Sequence, residues 1–303
     1  MAHDVIRLGG AAQGFNWLPI FVAIEKSYFA DADIEVVLEK LGNVDKATRA
    51  VADGDVELAI TPPEGAVTDF ASGGNLRIVA SNSNRLPMSL VARPEIASIA
   101  DLRGKKIGTS SLTEGTAIYT RIMLAENGLS YPNDYGFELA GIHTTRWEAL
   151  QNGTIDAAPQ PAPWNFLAED QGYTLVGEVS DYLPEIVFAA LIGRREWLDR
   201  NEDLLSRFLS ALAKAYDFAN DIENEAECVE LFRAITTKDS PELARRGFVY
   251  MRDLGMWPTH MEVTPAALAA TIDLMVRANL LDEGRRNSAA DVFEPRYLEA
   301  ALR

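Results

Sequence analysis

Cysteine occurs once in the 303 residues, at Cys228. An intramolecular disulfide and a cysteine-built zinc cluster are therefore both excluded. Histidine occurs three times, at His3, His143 and His260, and no two are at metal-ligand spacing. Positive charge is also scarce, with 28 Lys+Arg against 45 Asp+Glu and a formal net charge of −17. A field of that sign repels nucleic acid and anionic membrane surfaces, which removes both as main partners. No apolar run approaches the roughly 20 residues of a membrane span. Internal repeats, low-complexity tracts and a phosphate-binding P-loop are missing as well. Nothing in the residues demands a cofactor or a metal. Met1 to Ile6 runs into a strand-like segment with no basic n-region and no apolar h-region. If Met1 is the native start, the expected location is the cytoplasm; if a signal peptide has been removed, it is the periplasm or cell surface.

What remains is an ordinary globular composition, 48% hydrophobic and 24% charged, with chain enough for two domains or one large α/β domain. Strand-type runs at Val5–Leu8, Ile34–Leu38, Glu57–Ile60 and Leu76–Ala80 alternate with helical stretches at Leu18–Phe29, Asn43–Asp53 and after Pro62-Pro63. The alternation predicts a mainly parallel sheet flanked by helices. A second α/β unit begins near Ser89–Arg93. It carries strands at Lys106–Gly108, Phe137–Ala140, Ile155–Ala158 and Thr174–Val176, with helices at Thr116–Asn127 and Thr145–Asn152. Phe188–Ile192 reads as a strand returning to the first unit. Helices follow at 201–220, 225–235, 241–254 and 265–278. The expected architecture is two lobes, residues 1–90 with 190–303 and residues 91–189, joined by two crossovers that act as a hinge beside a ligand cleft.

Several segments, in order along nearly the whole chain, resemble solute-binding proteins of the nitrate, sulfonate and taurine type. They are Ile20–Phe29 (IFVAIEKSYF) with Ile34–Val36, Ala52–Ala59 (ADGDVELA), Ile99–Gly108 (IADLRGKKIG), Ala149–Ala157 (ALQNGTIDA) and Asp291–Leu298 (DVFEPRYL). The departures are Ser27 and Asp33, where that family carries glycine. The resemblance implies a two-lobed type II periplasmic-binding-protein-like α/β fold with a double crossover hinge and a helical C-terminal extension. The same fold is shared by thiamine-pyrimidine synthase-like proteins, aromatic sulfinate desulfinases and dihydroxyphthalate decarboxylases, so it does not separate receptor from enzyme.

Ligands in such units gather at the carboxyl ends of strands. The loop 109–116 offers Ser110, Ser111, Thr113, Gly115 and Thr116 ahead of a helix start, where free amides and the dipole favour an anion; the same hydroxyls could simply cap the helix. The resemblance implies the first role, and Glu114 opposes it if its side chain faces the cleft. After the first strand, Gln13, Asn16 and Trp17 offer amide and aromatic contacts, or Trp17 is core. Pro62 helps aim Glu64 at a helix start, where Glu64 receives a ligand amine, acts as a base, or complements the dipole. Gln160 and Trp164 sit in a proline-rich loop after Ile155–Ala158, at a place where the resemblance implies ligand contacts; Trp164 is equally readable as core. Arg146 either pairs with a carboxylate or lies on the helix surface, and His143 either transfers protons or is structural. His260 is set aside, and Cys228 reads as core.

The expectation is therefore a receptor whose lobes close on a small organic anion or zwitterion (a sulfonate, carboxylate or heterocyclic acid), passed to an ABC importer permease. The alternatives are a cofactor-free lyase or decarboxylase, with Glu64 and His143 as acid–base groups, and a cytosolic ligand sensor.

Overall fold

Two features of the strands dictate how this chain is laid out: most are short and apolar, and the link from the fourth to the fifth is only four residues long. The computed structural model describes residues 3–113 and 115–303. Its strands are β1 (Asp4–Gly10), β2 (Ile34–Lys40), β3 (Leu58–Thr61), β4 (Leu76–Ser83), β5 (Met88–Ala92), β6 (Lys106–Thr109), β7 (Gly136–Leu139), β8 (Ala157–Pro161), β9 (Thr174–Glu178) and β10 (Ala189–Arg194). They form two five-stranded sheets, ordered β2-β1-β3-β10-β4 and β7-β6-β8-β5-β9. Within each sheet the helix-linked strands pair in parallel, β1 with β2 and β3, and β6 with β7 and β8.

The remaining strand of each pattern departs from the expected parallel arrangement. β5 is antiparallel to β8 and β9, and β10 is antiparallel to β3 and β4. These are the two strands by which the chain passes between sheets. A parallel neighbour needs a crossover of a dozen or more residues. Asn84–Pro87 is far too short for one, so the chain leaves the first sheet and enters the second. The outcome is a mixed α/β fold in which each sheet receives its crossing strand in the second-to-last position.

Burial follows the pattern. β3, β4, β5 and β8 are buried along their whole length, as expected for strands covered on both faces. One apolar cluster runs through both sheets and the C-terminal helices, joining Leu8, Leu58, Leu90, Ile107, Phe208 and Phe248.

The first helix is shorter than its apolar spacing predicts, ending at Glu25 instead of Phe29. Ser27 adopts φ 60° and Asp33 φ 58°, left-handed values that glycine adopts without penalty. These are the two positions at which the resembling family has glycine, so the backbone turn is kept although the residues differ. Also differing from expectation, β8 lies two to three residues further along than Ile155–Ala158 and contains Pro159 and Pro161. Short helices at Trp164–Asp170 and Arg195–Arg200 were not expected from periodicity, nor was the last helix, Pro295–Ala301.

The helices Glu202–Asn220, Glu225–Ile235 and Pro241–Asp253 do not stay with one sheet. The first packs on Leu18–Glu25, beside the first sheet. The third reaches the second-sheet side, where the Phe166 and Tyr250 rings meet edge-to-face at 5.4 Å. There Arg246 lies over Phe166 and pairs with Glu169 at 2.7 Å and Asp170 at 3.3 Å.

Candidate functional site

The carboxyl ends of β1, β3, β6, β7 and β8 converge on one cavity between the sheets, enclosing about 620 Å³ with its open mouth included. Each wall is set by a nearby constraint. After β1 come Phe15, Asn16 and Trp17, with Trp17 seated against Gly10: a Cβ there would stand 2.2 Å from the indole. Asn16 is fixed by its Nδ2 donating to Asn82 Oδ1 at 3.1 Å, and Asn82 Nδ2 donates to Tyr216 Oη at 3.0 Å. Thr61 and Pro62 follow β3. Met88 and Phe188 stand where the chain crosses between sheets.

Ser110, Gly115 and Thr116 form the wall after β6. Helix Thr116–Glu126 has Gly115 as its N-cap, which has no side chain to accept from the first-turn amides. Thr109 Oγ1 donates to Ser111 O at 2.8 Å, so the 2.7 Å contact between Thr109 and Thr116 runs from the Thr116 hydroxyl to Thr109. Thr116 Oγ1 also accepts from the Ser110 amide at 3.3 Å. In the 3.3 Å contact between Ser110 Oγ and Thr116 Oγ1, Ser110 is then the donor, and this long bond is the one a ligand in the cavity would take over.

The decisive group is Arg146, three residues into helix His143–Gln151. It is only 3% exposed. Its Nε donates to Pro159 O at 3.1 Å and its Nη1 to Gly141 O at 2.8 Å. Among the described residues no carboxylate pairs with it. Burial alone pushes its pKa down, to about 9, so the guanidinium keeps its charge at neutral pH. A buried charge held only by neutral carbonyls is costly unless a counter-charge arrives. His143, one turn before it on the same helix face, lies beside Trp164 with ring centroids 4.1 Å apart. Burial, then the charges of Arg146 and Lys40, push its pKa down to about 3, which leaves the imidazole neutral.

Other residues singled out in the sequence sit behind or beside this wall. Trp164 backs His143. Gln160 lies inside β8, not in a loop, and is fully buried; with its amide turned to face both neighbours, it donates to His143 O at 3.2 Å and accepts from Trp147 N at 3.1 Å. Gln13, whose buried Nε2 has no partner among the described residues, is not part of the cavity lining. Ser111 Oγ donates to Asp45 Oδ1 at 3.0 Å, and the Thr113 amide donates to Ser111 Oγ at 3.1 Å. Glu64 lies beneath, 1% exposed, its Oε1 accepting from Tyr119 Oη at 3.4 Å while Oε2 has no partner among the described residues. Burial outweighs the hydrogen bonds from its own amide, from Tyr119 and from the Gly115 amide, and raises its pKa to about 7. Glu114 lies outside the described residues. His260 pairs with Asp217 at 3.6 Å, far along the helical return, and Cys228 is buried core.

Periodicity missed the apolar half of the wall: Phe15, Ile60, Met88, Ile142 and Phe188. Three polar contacts tie the two sheet regions together beside the cavity: Ser111 with Asp45, Tyr119 with Glu64, and Asn43 Nδ2 donating to Ser110 O at 3.3 Å. Among the described residues no group of three His, Cys, Asp or Glu side chains could hold a metal ion.

Similar proteins share this framework. A candidate binding protein of Brucella abortus (strain 2308) is 26% identical over 216 residues, covering 70% of this chain; the chain spans 66% of that relative's length. The zinc-bound ligand-binding component of an ABC-type import system from Staphylococcus aureus superposes with a TM-score of 0.81 at 16% identity, covering 99% of both chains. The alkanesulfonate-binding protein SsuA from Xanthomonas axonopodis pv. citri, bound to MOPS, superposes with a TM-score of 0.75 at 16% identity, covering 97% of this chain and 99% of its own. Such neighbours share the periplasmic-binding-protein fold. With the NMT1/THI5-like model matching residues 14–226, the chain belongs to the NMT1/THI5-like family.

Proposed function

We propose that this protein is the solute-binding component of an ABC-type importer, acting outside the cytoplasmic membrane and capturing a small organic anion in the cavity between its sheets. Lobe 1 comprises residues 1–90 and 190–303, lobe 2 comprises residues 91–189, and the two crossings form the hinge on which they close. The observation that carries the reading is Arg146: a buried, charged guanidinium on the cavity wall with no carboxylate partner among the described residues. An anionic oxygen pair completes it, and the Ser110 hydroxyl supplies a further donor. The S. aureus importer component and the alkanesulfonate-binding protein support the same assignment.

Binding draws on the side chains of Arg146, Ser110, Asn16, Trp17 and Pro62 and on the backbone at Gly115 and Thr116. The contacts of Ser111 with Asp45 and of Tyr119 with Glu64 latch the lobes in the closed form. The test is mass spectrometry of a pool of sulfonates and carboxylates before and after incubation with purified protein. One acid retained unchanged, at no more than one per chain, supports a receptor. Consumption of an acid far beyond the amount of protein, with a new product mass, overturns it in favour of an enzyme.

A further inference from the structure

Beyond its one cation, the cavity is a carbon surface. Among the described residues that line it, only Arg146 carries charge; the polar remainder is Asn16, Thr61, Ser110, Thr116 and His143. Rings dominate one corner. Phe15 and Phe188 lie nearly parallel, centroids 6.0 Å apart and planes at 23°. The His143 imidazole meets Phe15 edge-on at 5.9 Å and 80°, and Trp17 closes the side. Met88, Ile60 and Ile142 complete the apolar face.

From this we infer, resting on the anion-receptor reading above, that the solute is an aromatic monoanion: a flat ring bearing a single carboxylate or sulfonate, with the oxyanion on Arg146 and the ring among Phe15, Trp17 and Phe188. Three arguments carry it. One guanidinium and a neutral imidazole balance one negative charge, and a second would be buried without a counter-charge. A bare inorganic anion has no carbon to cover the ring corner, which would stay wet beneath it. Aromatic walls add edge-to-face and stacked contacts that a saturated body of equal area does not obtain. The neutral His143 is consistent with this balance, since it offers a hydrogen bond and not a second charge.

The experiment uses the full chain freed of bound solute by unfolding and refolding, with calorimetric titration of benzoate, 2-naphthoate, benzenesulfonate, cyclohexanecarboxylate, ethanesulfonate and phthalate. The expected result is that at least one single-charge ring anion binds tenfold or more tightly than cyclohexanecarboxylate, ethanesulfonate and phthalate. In a Phe188→Leu variant, the gap between the ring anion and cyclohexanecarboxylate shrinks at least threefold. Benzoate against benzenesulfonate decides the head group. Equal or tighter binding of a saturated acid or of phthalate overturns the ring-monoanion inference and leaves the anion reading standing. No binding by any ring monoanion overturns the inference too. If the protein instead takes only neutral or cationic compounds, from a matched set of benzamide and benzylamine, the anion reading falls with it.

Discussion

Replacing Arg146 by methionine removes the charge while keeping most of the side-chain volume, and its two consequences separate a ligand role from a structural one. In the free protein the substitution relieves a buried cation that no carboxylate among the described residues balances. Exchanging buried ionic groups for apolar ones is neutral to stabilising by about 1–4 kcal/mol. It also strips Pro159 O and Gly141 O of the donors at 3.1 and 2.8 Å, at about 1–3 kcal/mol for each group left unsatisfied. The two carbonyls together lose about 2–6 kcal/mol against that gain, so the empty protein is expected to be unchanged or destabilised by a few kcal/mol at most. With ligand the balance is one-sided: truncating one partner of a buried, hydrogen-bonded charge pair costs about 2–5 kcal/mol, roughly 30-fold to several thousand-fold in Kd. Arg146→Lys keeps the charge but loses the planar fork that serves two carbonyls and an oxyanion together, so most of the affinity is lost there also. The assay pairs urea unfolding of the empty proteins with calorimetric titration of the retained acid at low and high salt. Wild-type affinity should be nearly insensitive to salt, because a buried pair is weakly screened. A variant that unfolds easily, yet binds with wild-type affinity when folded, would refute the assignment and leave Arg146 as a brace between two carbonyls.

Ser110→Ala should weaken anion binding by about 1.5–3 kcal/mol, the worth of a hydrogen bond to a charged group, whereas Thr116→Val, whose hydroxyl is spent on Thr109, should mainly lower stability; titration and thermal melts of both variants separate the two roles. Glu64, raised from 4.5 to about 7, holds in the folded chain a proton that the unfolded chain releases. Its contribution therefore erodes stability as pH climbs from 4.5 to 7, on the order of 3 kcal/mol in all, and has no effect below 4.5. Urea midpoints of Glu64→Gln and wild type should diverge in favour of the variant between pH 5 and pH 8; parallel profiles would show that Glu64 ionises without penalty. Ser27→Gly should raise stability by about 1 kcal/mol, since φ 60° penalises any side chain, and a lower melting temperature would contradict that. Gly10→Ala should cost about 1–3 kcal/mol by driving a methyl into Trp17 and weaken solute binding with it; an unchanged Kd would place Trp17 outside the ligand's reach.

Much of the framework was legible because it rests on local periodicity. Alternating runs, helical spacing and the Pro62-Pro63 pair located nearly every major element to within a few residues, and Ser89–Arg93 marked the passage to a second unit. The errors have physical causes. Prolines suggested a loop at Pro159–Pro161, yet β8 accommodates them with pairing concentrated on β5 and a single pair to β6, which carries Gln160 inward. Phe15, Met88 and Phe188 could not be told from core, because an apolar residue has the same pattern whether it touches another side chain or an open space. Arg146 was ambiguous for a related reason: spacing puts it on a helix face, and only the tertiary packing of β8 and Gly141 decides that this face is interior. The hydroxyl loop showed the opposite, since its composition pointed to a polar wall but not to which hydroxyl was already committed.

The straddling position of the C-terminal helices bears on how the cleft works. Because helix Pro241–Asp253 is fastened to the second-sheet side through Arg246, Phe166 and Tyr250, while its neighbour Glu225–Ile235 leans on helix Leu18–Glu25, this pair forms a clasp between the two sheet regions. Separating the sheets must either unfasten Arg246 from its two carboxylates or drag the clasp along as a third moving body. The Arg246, Glu169 and Asp170 side chains are 40–53% exposed, so each of these pairs is worth only about 0–1 kcal/mol. A fastening this light aligns the two sheet regions without locking them.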